Sequence, residues 1–151
     1  MQALYFSYGS NLSLSRMRDR VASAVAVGRA RLPGHRLTTD KRGRDGSGKA
    51  NLRQDPAAAV WGVVYRFLAE HWPALDACER GYARVEVEVA LESGERLRVE
   101  TYVSSLLAPD PVPLAWYKRL ILDGAREHGL PAAYLEMLEA LPARSDPSRP
   151  G

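Results

Sequence analysis

One cysteine, Cys78, stands in a chain of 151 residues. A single thiol closes no disulfide within the chain and builds no cysteine-based zinc site. A reducing cytoplasm is the compartment expected for it. Histidine is nearly as sparse. His35, His71 and His128 lie far apart and none belongs to an H-x-x-x-H pair, so no metal is expected. Long apolar runs are missing as well: none approaches the roughly 18 residues that span a bilayer. The N-terminus has no basic region leading into a long apolar stretch, so neither a signal peptide nor a membrane partner is expected. The spacing of a phosphate loop, G-x-x-x-x-G-K-[ST], does not occur, and no internal repeat or low-complexity tract is found.

What is present fits one globular domain. Hydrophobic residues make up 46% of the chain and charged residues 26%, enough for an ordinary core. The net charge is +3, with much of the excess between Arg29 and Arg53. A nucleic-acid surface uses such a stretch. No aromatic residue is interleaved with these charges as a single-strand stacking platform requires, so a solvated arginine-rich loop is the preferred reading and no nucleic-acid partner is expected.

Along the chain, 3–8 reads as a first strand and 13–21 as a short helix capped by Asn11 or Ser13. Strands are expected over 24–32 and 35–39, separated by the Pro33-Gly34 turn. The charged, glycine-rich stretch 40–48 is expected to be a mobile loop. Strands follow at 50–54 and 60–67, divided by Asp55-Pro56. A helix over 69–79 has apolar residues at Trp72, Leu75 and Cys78, which places Cys78 in the core. A hairpin follows over 84–91 and 96–103, with Val85, Val87 and Val89 inward. The proline-rich 108–113 links to helices over 114–128 and 132–141. About six strands come first, with one or two short helices among them, and two helices close the chain. This is an α+β pattern, best built as a closed or nearly closed small β-barrel flanked by helices. One domain is expected over 1–141, with a flexible tail over 142–151.

Two stretches carry candidate chemistry. The apolar strand breaks into Tyr8-Gly9-Ser10-Asn11. This is either an ordinary strand-to-helix turn or a cradle of N–H groups for an anion or oxyanion. Glu79 ends the Trp72–Cys78 helix just before a strand. It is either a surface glutamate or a partly desolvated one whose raised pKa suits general acid–base work.

These pieces together resemble the γ-glutamylcyclotransferase (AIG2-like) family. The likeness lies in YFSYGSNL at 5–12, VWGVVYRF at 60–67, LDACERGYARVEV at 75–87 and WYKRLILDGAREHGLPAAYLEML at 116–138. It implies a small mixed barrel with flanking helices, and a cofactor-independent, metal-free enzyme of glutathione metabolism. The implied reaction is intramolecular aminolysis of γ-glutamyl amino acids or peptides, releasing 5-oxoproline and a free amine. Glu79 matches the catalytic glutamate. Tyr8, Gly9, Ser10 and Asn11 match the loop that binds the glutamyl group, and Tyr82 and Tyr117 match tyrosines of the same pocket. Arg80 stands where the family often has glycine, and the chain is shorter between Glu79 and Tyr82; both bear on the leaving group. The alternatives are a γ-glutamylamine cyclotransferase, acting on an isopeptide or an acylated metabolite, and a catalytically silent binding relative. The expected partner is a small γ-glutamyl molecule, and the expected assembly a monomer or homodimer.

Overall fold

The computed structural model describes residues 1–148. Five strands among them close into a barrel: β1 (Gln2–Ser7), β2 (Val25–Arg42), β3 (Gly48–Leu68), β4 (Ala83–Leu91) and β5 (Arg96–Val103), in the order β1-β3-β2-β4-β5. Four α-helices flank it: α1 (Leu14–Arg20), α2 (Trp72–Cys78), α3 (Ala115–Glu127) and α4 (Ala132–Ala140). The sheet is mixed because β1 pairs antiparallel with β3 and parallel with β5, at Tyr5 opposite Glu100. The α+β barrel with flanking helices is therefore the fold.

Two expected breaks bend strands without ending them, so the seven expected strand segments become five strands. β2 continues through Pro33-Gly34. In β3, residues 55–58 fall between the register pairs Pro33–Ala59 and His35–Gln54, so Pro56 sits in a bulge where no ladder donor is required of it. The expected loop over 40–48 is strand at both ends: β2 runs to Arg42 and β3 begins at Gly48. The five residues between form a tied turn. The Gly43 N–H donates to the Ser47 carbonyl, and the Asp45 carboxylate accepts from both the Ser47 N–H and its hydroxyl. Arg42 N–H further donates to the Leu106 carbonyl.

Phe6, Val60, Val63, Val64 and Tyr65 are fully buried. Because Val63, Val64 and Tyr65 are consecutive in β3, both faces of the barrel wall are covered there. On β4 the inward row is incomplete. Val89 is buried, but Val87 is half-buried and Val85 exposed. β4 meets β2 only through Ala90 and Leu91, so β5 alone borders its first half. After α4, the Arg144 N–H donates to the Pro113 carbonyl and its carbonyl accepts from the Ala115 N–H at the start of α3, and the Trp116 indole donates to Asp146. The stretch expected as a tail, 142–151, thus includes these contacts, and its last three residues, 149–151, lie outside the described part.

Candidate active site

The site begins with how α2 meets the barrel. Pro73 opens the helix, where a missing N–H costs nothing. Trp72 packs edge-on to Phe67 at 4.8 Å, and Leu75 is fully buried. Positions 72, 75 and 79 share one helical face, since steps of three and seven residues return nearly to the same side. Glu79 is therefore carried inward. Cys78 lies about a quarter-turn off that face, and it is exposed. The expectation of a core cysteine fails for this reason. The N–H of Glu79 still bonds back to Leu75 and Asp76, and Gly81 then takes φ +84, the left-handed conformation that turns the chain into β4.

The Glu79 side chain is 14% exposed. Its Oε1 accepts from Asn11 Nδ2 at 2.7 Å and from Arg20 Nη1 at 3.0 Å. Burial pushes its pKa above the ordinary glutamate value, against the pull of Arg20, the Asn11 hydrogen bond, Arg16 and Lys41. Asn11 lies 68 residues away in sequence. It belongs to a short 3₁₀ turn, Ser10–Leu12, that follows β1 directly. The Asn11 amide also donates to Tyr5 Oη at 3.1 Å, while its own oxygen is buried with no protein donor among the described residues.

Across the pocket one peptide unit is held by two tyrosines. The Ala50 N–H donates to Tyr117 Oη at 3.0 Å, and Tyr82 Oη donates to the Ala50 carbonyl at 2.6 Å. Tyr82 thereby commits its phenolic proton. Tyr117 accepts, which leaves its own proton to be donated elsewhere. Burial pushes the Tyr117 pKa up to about 12, so the phenol stays protonated. A Cβ on Gly9 would stand 3.0 Å from Ala50 Cβ and 3.7 Å from Tyr117 Oη. Glycine there keeps the space between cradle and tyrosines open.

Tyr8, Gly9, Ser10, Asn11, Glu79, Tyr82 and Tyr117 all line one inner pocket of about 30 Å³. It is backed by Tyr5 and Tyr102, and Tyr8 is buried with its hydroxyl bonded to the Tyr102 carbonyl. Ser10, Glu79, Tyr82 and Tyr117 also border an outer cavity of about 540 Å³. That cavity adds residues absent from the sequence-based set. Arg16 and Arg20, four apart on α1, share a face toward Glu79, a spacing that the sequence offers as a signal. Lys41 is buried, donates to the Arg80 carbonyl at 2.8 Å and lies 4.8 Å from the Tyr82 ring centroid. Burial lowers its pKa. In a stretch dominated by charge and glycine, nothing in the sequence marks it. No group of three or more His, Cys, Asp or Glu among the described residues could hold a metal ion.

Such an arrangement can bind anionic oxygens on donors from one wall and move a proton through a desolvated carboxyl on another. The chain is similar to known proteins over most of its length. The family described as AIG2-like matches over residues 59–138. The γ-glutamylcyclotransferase of Homo sapiens is 35% identical over 147 residues, covering 91% of this chain and 78% of that protein. The Mus musculus enzyme of the same name matches equally well, with 35% identity over the same coverage. A solved structure titled gamma-glutamyl cyclotransferase superposes with a TM-score of 0.90 at 31% identity, covering 100% of this chain and 94% of the other.

Proposed function

The chain belongs to the AIG2-like, γ-glutamylcyclotransferase family, and from that premise we propose that its pocket closes a γ-glutamyl group onto itself to release 5-oxoproline. The substrate supplies its own nucleophile. The α-nitrogen bonds to the γ-carbonyl carbon and the bond from that carbon to the leaving nitrogen breaks. The α-ammonium gives up two protons overall and the leaving nitrogen gains two.

Glu79 is the proton carrier in this reading. As a carboxylate it takes a proton from the α-ammonium; as an acid it returns one to the leaving nitrogen. The buried Asn11 oxygen is a second acceptor for the ammonium. The N–H groups of Gly9–Asn11 and the Tyr117 hydroxyl are donors for the α-carboxylate and for the oxyanion formed in ring closure. Holding the flexible glutamyl chain folded between these walls supplies much of the rate by pre-organisation. Tyr82 acts as a wall, its proton already given to Ala50. A small γ-glutamyl molecule is thus the partner. The single, exposed thiol suits a reducing cytoplasm. No helix among the described residues is long and apolar enough to cross a membrane.

The observation that carries this reading is the 2.7 Å contact between the sequestered Glu79 carboxyl and Asn11 of the cradle. Its test is Glu79→Gln, which keeps shape and removes the proton carrier. Release of 5-oxoproline from γ-Glu-Ala is expected to fall by about 10²- to 10⁴-fold, with the circular dichroism spectrum unchanged. A folded variant with near-normal turnover overturns the role of Glu79.

A further inference from the structure

The outer cavity carries more positive charge than ring closure uses. Arg16, Arg20 and Lys41 act on Glu79. The same cavity is also lined by Arg44, Lys49 and Arg80, and Asp45 is the one acid besides Glu79 among its lining residues. Lys49 is positioned by its surroundings: its amine lies 4.8 Å and 4.5 Å from the Trp116 and Tyr117 ring centroids and 3.8 Å from Asp45. Arg44 sits in the tied turn between β2 and β3, and Arg80 directly follows Glu79. Both are exposed side chains that enter no ion pair among the described residues.

The inner pocket is narrow and closed behind by tyrosines, so the variable part of a γ-glutamyl substrate must extend into the outer cavity. It then lies among cations that outnumber the carboxylates lining the cavity. We infer that Arg44 and Arg80, with Lys49, form a subsite for carboxylates on the leaving amine. The preferred leaving amines are dicarboxylic amino acids, ahead of monocarboxylic ones and of neutral amines. This rests on the cyclotransferase reading and adds to it a specificity determinant of this chain.

The test compares kcat/KM for 5-oxoproline release from γ-Glu-Glu, γ-Glu-Ala and γ-Glu-alaninamide. Values are expected to fall in that order, by up to about fivefold for each carboxylate lost, the scale of an exposed charge pair. The spread is expected to narrow in about 0.5 M salt, where the screening length is only a few ångströms. In the Arg44→Ala/Arg80→Ala double variant the γ-Glu-Glu value drops most and the three substrates converge. Arg80→Lys keeps the order. Equal kcat/KM for the three substrates, or a double variant that lowers all three by one factor, overturns the subsite and leaves the cyclotransferase reading standing. Release from none of the three overturns that reading, and the subsite with it.

Discussion

Glu79 sits under opposed influences: burial raises its pKa, and Arg20 at 3.0 Å pulls it down. The sign of a change follows directly. If the carboxylate form starts the reaction, activity falls as pH drops through the folded-state pKa, which lies above the ordinary glutamate value. Arg20→Ala removes an opposing positive charge, so the pKa rises further and the acid limb of the kcat/KM profile moves to higher pH. A limb that stays in place, or moves to lower pH, argues against this coupling. At this scale the sequence was informative where a residue type and its neighbours suffice. Glu79 and the Tyr8–Asn11 turn were legible as candidates because a glutamate before a strand and a glycine after one are local patterns. Their meeting across 68 residues of sequence was not legible from local pattern. Neither was the part of Lys41, whose burial depends on how the β2–β3 hairpin packs against the turn after Glu79. Cys78 misled because Trp72, Leu75 and Cys78 form a run of threes, while an α-helix turns in 3.6 residues.

Among elements, the contact between α3 and the cradle turn governs the pocket. Gly124 lets the helix touch that turn: an added Cβ would lie 2.7 Å from Leu12 Cβ and 2.7 Å from the Ser13 nitrogen. Backbone atoms and the Cβ of a fully buried leucine cannot yield there. Gly124→Ala is expected to lose about 1–3 kcal/mol of stability, as overpacking typically does. It is also expected to lower turnover at temperatures where the variant is folded, because the displaced residues are those next to Asn11. Denaturant titration and a 5-oxoproline assay read the two effects, and a variant with wild-type values in both would show the contact to be compliant. Strand boundaries were the least legible elements. Pro33-Gly34 and Asp55-Pro56 carry turn chemistry, but the long hairpin absorbs both as irregularities facing each other across the ladder. Local signals cannot distinguish a bend within a strand from a gap between two.

For the whole molecule, closure of the barrel depends on a short join. β1 and β5 share a single register pair, Tyr5 opposite Glu100. The join is reinforced by side chains: Thr101 Oγ1 donates to the Phe6 carbonyl at 2.7 Å, and Thr101 is fully buried. Thr101→Val keeps the volume and removes the donor. A loss of about 1 kcal/mol is expected, the net worth of one buried hydrogen bond, and thermal unfolding should show it as a fall of a few degrees in Tm. An unchanged Tm would mean that the join holds without this bond. The α+β class and the flanking helices followed from element order, whereas closure follows from tertiary pairing that composition does not encode. The exposed thiol has a practical consequence on this scale. The chain contains a single cysteine, and Cys78 borders the outer cavity beside Glu79. A maleimide fluorophore would therefore attach once per chain at the doorway to the chemistry, where its emission would register the arrival and departure of guests in real time.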